Sequence, residues 1–236
     1  MADNKKPQLI KVMTPKGISR FSSLTKPDTK FNPDGEYKTG IILDEAEASP
    51  ITAKIEAEAK KILEATKAEL QESLKTLKGE KLVKAKKALA ELALGDMPFK
   101  PEYDEDGNET GRVILNFKMK AQRKDKDGKV IKMSPKLFDA SGKDLPKGID
   151  IWGGSLIKVA GSLNPFYIPG TNTCGVGLRL AAVQVIELRS SGGGDAASYG
   201  FGKEDGYEAP QSSGAAEGFE DESEESPNDA EEDVDF

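Results

Sequence analysis

In the stretch EYKTGIIL (Glu36–Leu43), Tyr37, Thr39, Ile41 and Leu43 fall at alternate positions. That period of two is the mark of a strand with one face buried. A similar stretch, GISRFSSLTKP (Gly17–Pro27), precedes it, and the Pro, Asn, Asp and Gly of KPDTKFNPDG supply the loop between them. The period then changes. Ser49 followed by Pro50 reads as an N-cap with proline at the first helical position, and Ile51, Ile55, Ile62, Leu63, Leu70, Leu74 and Leu77 recur at helical spacing. Gly79 breaks this helix, and EKLVKAKKALAELAL (Glu80–Leu94) continues as a second one. The apolar spacing drifts from a strict heptad, which points to an insertion packed on the body of the protein and away from a coiled coil.

Strand patterns return after GDMPF. Gly111–Arg123 and Gly128–Asp139 flank KDKDG, whose Asp-Gly is a hairpin turn. Gly148–Trp152, Gly154–Leu163 and Cys174–Leu188 follow; in the last, Val176, Leu178, Leu180, Ala182 and Ile186 alternate with Gly177, Arg179, Val183 and Val185. Five or six strands, glycines inside them and a helical insertion over residues 49–94 predict a mainly β protein with helices (α+β). Its expected form is a five- to six-stranded Greek-key barrel, with the OB-fold as the best candidate.

Composition divides the chain at Arg189. Residues 190–236 hold one base (Lys203) and 15 acids, net −14, while residues 1–189 hold 33 bases and 26 acids, net +7. Beyond the linker-like SSGGGD (Ser190–Asp195), the segment contains no Leu, Ile or Met. It cannot bury enough apolar surface to offset the entropy of ordering, so the expected organisation is a folded domain over 1–189 and a disordered acidic tail over 190–236. A basic body joined to an acidic tail points to nucleic acid more strongly than the whole-chain net of −7 does. With a single cysteine, Cys174, no signal-peptide core and no membrane-length apolar run, the expected setting is the cytosol, with no membrane contact.

The chain has no histidine, which removes the commonest general base and metal ligand. DEDGNETGRVIL, from Asp104, starts like a calcium loop but has Glu109 where the glycine belongs and Leu115 at the twelfth position. No catalytic residue, metal site or cofactor is expected, and the chain does not read as an enzyme. The basic excess is concentrated elsewhere: residues 112–138 carry nine bases and two acids, net +7. Lys118 and Lys120 share one face of a strand whose other face presents Phe117, Met119 and Ala121. A basic strand pair near aromatic side chains is how a barrel tracks a phosphate backbone while bases stack beside it. Phe21, Tyr37, Phe117 and Phe138, each within a strand, suit a core better than a surface. Trp152, before GGS, and Phe166 with Tyr167, in the NPFYIPG loop, are better placed to stack on bases. The candidate contact set is Arg20, Lys26, Lys38, Phe117, Lys118, Lys120, Arg123, Trp152, Lys158, Phe166, Tyr167 and Arg179.

KPD, FNPDGEYK leading into TGIIL, GDMPF, NFKMK, GGSLIKVAGSLNPF and LRLAAVQVIEL, in that order, resemble the single-stranded DNA-binding proteins of short-tailed T-odd phages. So does an acidic tail closed by phenylalanine. The resemblance implies an OB-fold that coats single-stranded DNA in replication and recombination within the cytoplasm of the host bacterium. It also implies a tail that contacts the phage DNA polymerase and helicase–primase, here through Asp233, Asp235 and Phe236, and it is compatible with a homodimer. By position it assigns DNA contact to Phe166, to Phe117, Lys118 and Lys120, and to Lys26. A tethered polyanion beside a basic groove is expected to compete with DNA for that groove and to serve as a handle once displaced. Two other readings stay open on the residues: a strand-annealing mediator, and a scaffold or chaperone that binds no nucleic acid.

Overall fold

The computed structural model describes residues 9–30 and 32–189. The expected tail, with Asp233, Asp235 and Phe236, lies outside the described residues. In chain order the elements are β1 (Ile10–Met13), β2 (Gly17–Asp28), β3 (Glu36–Asp44), α1 (Glu45–Leu74), α2 (Gly79–Ala90), β4 (Ala93–Leu94), β5 (Phe99–Tyr103) and β6 (Glu109–Lys120). They continue as β7 (Gln122–Lys124), β8 (Val130–Lys132), β9 (Lys136–Phe138), β10 (Leu156–Ile168) and β11 (Thr173–Glu187).

Five of these strands close on one another. β2 pairs antiparallel with β3, β3 with β6, and β10 with β11. The ring is completed where β10 meets β2 at Leu156↔Ile18 and where β6 runs parallel to β11 at Phe117↔Leu178. The circuit β2–β3–β6–β11–β10 is a five-stranded Greek-key barrel, so the protein is α+β with an OB-like fold. The shorter strands attach outside the ring: β1 to β10, β5 to β6, and β4 and β9 to β11. β7 and β8 form a separate two-stranded arm, closed by a turn in which the Asp125 N–H donates to Lys129 O (2.8 Å) and the Gly128 N–H to Asp125 O (3.0 Å).

The interior is filled from alternate positions of each long strand. Ile41, Leu115, Phe117, Ile157, Val159, Leu163, Leu178 and Leu180 are buried, and α1 closes over them with Ala48, Ile51, Ile55 and Ala59. This is the packed insertion that the helical pattern predicts. α2 buries no residue fully. Phe117 lies beneath β10: a Cβ at Gly161 would sit 3.0 Å from its ring and 2.2 Å from Arg179 O. The missing side chain at 161 lets β10 pass close to β11 and to the ring.

Several sequence expectations need correction. α1 begins at Glu45, directly from the extended Asp44, with Glu45 and Glu47 in its first turn, where carboxylates favour the positive end of the helix dipole. Pro50 therefore stands inside the helix and not at its start. Gly148–Trp152 is not a strand; it is a loop anchored by the buried Ile151. The period-two reading of β11 fails after Leu180. Ala160 pairs with Ala182 but Gly161 with Leu180, so Ala181 is an extra residue, and a bulge of this kind reverses the facing that follows. Val183 and Val185 consequently point inward with Leu178 and Leu180.

Phe21 departs furthest from expectation. Arg20 pairs with Gly40 and Ser23 with Lys38, so β2 carries one extra residue in this interval. Phe21 sits in that bulge at φ +50°, in a left-handed region that costs a non-glycine residue about 1–2 kcal/mol. The ring is 77% exposed, whereas Phe117 is 0% exposed. Phe117→Ala should cost about 3–5 kcal/mol, the range for emptying a buried phenylalanine site, and Phe21→Ala no more than about 0.5 kcal/mol. Urea unfolding of the two variants checks this; similar midpoints would contradict the packing described.

Candidate nucleic-acid interface

The alternation that buries Tyr37, Phe117, Met119 and Leu178 puts Lys38, Lys118, Lys120 and Arg179 on the outer face of the barrel. Register then aligns three of them. Lys38 of β3 lies opposite Lys118 of β6, and Lys118 lies beside Arg179 of β11. Adjacent strands are about 4.8 Å apart, so three cations from three strands form a row about 10 Å long. Two of the three have acidic neighbours: Lys38 Nζ lies 2.5 Å from Asp28, and Lys118 Nζ lies 3.6 Å from Glu36. Lys120, Arg123 and Arg179 form no salt bridge among the described residues.

This row borders a groove of about 810 Å³. Lys118 and Lys120 of β6, Arg123 at the base of the β7–β8 arm and Arg179 of β11 supply its positive charge, against Glu36 and Asp96. Met97, Met133 and Leu178 give it apolar patches, and Phe166 stands at its far end. The loop carrying Met97 is tied down by the Asn116 N–H, which donates to Pro98 O at 2.8 Å. Phe166 pairs with Gly175 across the β10–β11 hairpin, and the far end of its ring fills the space a side chain at 175 would take: a Cβ there would be 2.6 Å from Cζ. Glycine at 175 therefore lets the ring lie against the sheet while staying half-exposed. A flat aromatic face beside exposed cations can accept a planar ring and bind an adjacent polyanion.

The other candidates distribute as follows. Phe117 needs correction: it is sealed in the core and cannot present its ring to a ligand, because the strand that exposes Lys118 must bury its neighbour. Tyr167 is turned away from the groove. It follows Phe166 on the strand, pairs with the buried Cys174, and donates its hydroxyl to Asn172 (3.2 Å), which in turn donates to Glu91 after α2 (3.0 Å). Lys26 is exposed on the irregular part of β2 and does not line the groove. Lys158 borders a smaller apolar pocket with Met13 and Phe138. Arg20 lines a second cleft of about 740 Å³ beside the Arg112 end of β6, where it meets the exposed Phe21 and the wall residues Gly153 and Gly154; Trp152, itself exposed, directly precedes these glycines in the chain. Sequence reasoning missed Phe21, since a bulge in an otherwise regular strand leaves no signal in the period. No group of three or more His, Cys, Asp or Glu among the described residues could hold a metal ion, and no helix there is long and apolar enough to cross a membrane.

Comparison with known proteins adds independent findings. A family model described as the single-stranded DNA-binding protein of bacteriophage T7 matches residues 17–188. The single-stranded DNA-binding protein of Enterobacteria phage T3 is 36% identical over 142 residues, which is 58% of this chain and 59% of that protein. That of Escherichia phage T7 is 34% identical over 147 residues, 60% of this chain and 61% of its own length. The matched region thus spans about three-fifths of both relatives. The crystal structure of gp2.5, the single-stranded DNA-binding protein encoded by bacteriophage T7, superposes with a TM-score of 0.61 at 23% identity. It covers 77% of this chain and 93% of that one, a likeness of fold.

The Lys38–Asp28 pair can be checked directly. The hydrogen bond from Lys38, followed by that from the Lys30 N–H, holds the Asp28 carboxyl below its ordinary range. A carboxylate lowered in this way contributes its stabilisation above the unfolded-state value and loses it as pH falls through the folded one. In Lys38→Met the Asp28 value should rise toward that of a free side chain. Carboxyl-detected NMR titration measures it; an unmoved value would mean that the Lys30 N–H alone sets it.

Proposed function

The chain belongs to the family of single-stranded DNA-binding proteins represented by that of bacteriophage T7, and from that premise we propose that it coats unpaired DNA, without sequence preference, during phage replication and recombination in the host cytoplasm. The observation that carries this reading is the groove that Lys118, Lys120, Arg123 and Arg179 line together with the half-exposed Phe166. Phosphates exchange for the loosely held counter-charges of the row. Exposed ion pairs such as Lys118–Glu36 are worth at most about 1 kcal/mol, so opening them for a phosphate costs little. One base stacks on Phe166, a contact worth about 1–3 kcal/mol that accepts any base because each has a π-face. Lys38 extends the row onto β3 once a phosphate displaces Asp28. Lys26 lies beside this path and makes a peripheral phosphate contact.

The two kinds of contact are separable by salt. Phe166→Ala should weaken oligonucleotide binding with little change in the dependence of log K on log salt. Lys120→Ala should lower the magnitude of that slope by about 0.7, the increment for one phosphate contact on a single strand. Fluorescence anisotropy across a salt series reads both. Equal affinities for wild type and Phe166→Ala would remove the stacking assignment.

The acidic segment from Ser190 completes the reading. Its net −14 opposes the basic groove, and covalent attachment to the same chain gives it a high effective concentration, so it competes with DNA for the same cations. When DNA displaces it, Asp233, Asp235 and Phe236 are offered to the phage DNA polymerase and helicase–primase, with Phe236 as an apolar anchor among carboxylates. Truncation after Arg189 should raise affinity for single strands, most at low salt, and abolish binding to the polymerase. Identical low-salt affinity for truncated and full-length protein would dispose of the competition.

A further inference from the structure

We propose that the cleft around Phe21 is a second base-stacking station on the same DNA strand, reached along the outer face of β6; the inference rests on the function proposed above. The cleft is built where a soluble protein would be expected to economise on apolar surface. Phe21 is 77% exposed, Tyr103 52%, Trp152 47% and Ile18 40%, all on or beside one depression. The bulge in β2 holds Phe21 outward at a positive φ that a glycine would adopt more easily, so the exposed ring is fixed against local conformational preference.

The surroundings are ordered. Arg20 stacks on the Phe21 ring, its guanidinium carbon 5.1 Å from the ring centre. Glu102, almost fully buried, accepts from Arg112 Nε (2.7 Å) and from Thr110 Oγ1 (3.0 Å), and also pairs with Arg20 (3.6 Å). One carboxylate thus orients two half-exposed guanidinium groups whose remaining N–H donors face outward. The turn that brings up Trp152 is stitched to the same strand. Ser19 Oγ donates to Trp152 O (2.8 Å), and the Gly154 N–H donates to Ser19 O (2.7 Å). Asp104 shares the wall, but its carboxylate is taken up by the N–H groups of Asp106 and Asn108 in its own loop.

Continuity with the groove decides the occupant. Arg112, Asn116, Lys118 and Lys120 share the outer face of β6; the last three line the groove and the first lines the cleft. Arg20, Gly40 and Asn116 lie side by side in register across β2, β3 and β6. At about 3.4 Å per residue, Asn116 and Arg112 are roughly 14 Å apart along the strand. That is within reach of a single strand already bound at Phe166, since such barrels span about 4–16 nucleotides. The cleft sets Arg20 and Arg112 against Glu102, Asp104 and Glu105, which leaves it little attraction for phosphate, so its contribution is stacking of bases on Phe21, with guanidinium contacts from Arg20 and Arg112.

Trp152, the chain's single tryptophan, adjoins the cleft through Gly153 and through the Ser19 Oγ hydrogen bond to its carbonyl, so its emission reports on the edge of this cleft. The experiment titrates the full-length protein with labelled oligothymidylates of about 4 to 16 nucleotides, following label anisotropy and Trp152 emission together. Short oligomers should bind at the groove and leave the emission unchanged; longer ones should quench it. Phe21→Ala should weaken long oligomers by about 5- to 150-fold, the range for one lost stack, without changing their salt slope, and leave short ones unaffected. Phe166→Ala should weaken both. The proposal is overturned if Trp152 emission stays constant while long oligomers bind, or if Phe21→Ala binds every length like wild type. It is overturned too if emission shifts with protein concentration in the absence of DNA, which would mean that a second copy covers the cleft. Should no oligomer bind, the proposed function itself falls, and this inference with it.

Discussion

Closure of the barrel between β6 and β11 is the constraint on which the rest depends. These strands run parallel, and they meet because Phe117, inside, lies under Gly161, where β10 passes with no side chain in the way. Once Phe117 is inside, the pleat requires Lys118 to be outside, and the parallel register sets Arg179 beside it. Core packing and surface charge are therefore one arrangement seen from two sides. A change that loosened the interior at Phe117 would also displace the cations across from it.

Two glycines show how the same economy shapes the aromatic side of the groove. Gly161 admits a buried ring, while Gly175 seats a half-exposed one, so absent side chains position one phenylalanine in the core and another at the surface of the groove. The bulge at Phe21 achieves exposure differently, by setting the backbone into a conformation that turns the side chain away from the barrel. Three phenylalanines in strands thus have three different environments, and strand membership alone distinguishes none of them.

The charges of the groove are held loosely. Lys38 and Lys118 lean on Asp28 and Glu36, whereas Lys120, Arg123 and Arg179 lack ion-pair partners among the described residues. Such a surface can exchange one set of anions for another at small cost. The Arg20–Glu102–Arg112 arrangement is different in kind, with a buried carboxylate fixing two arginines in place. It suits orientation of a ligand better than neutralisation of it.

The sequence by itself determined the alternation of β3 and β6, and hence that Lys118 and Lys120 point one way and Phe117 and Met119 the other, because a strand's period is intrinsic to its backbone. It also determined the helical insertion and the division of charge between body and tail. Which outward cations would be neighbours was decided only by the tertiary structure: Lys38, Lys118 and Arg179 are far apart in the chain and meet through strand register. The same holds for the phase of β11 after Ala181 and for the outward turn of Phe21. A bulge adds one residue without altering composition, so its effect on facing exists only once the partner strand is in place.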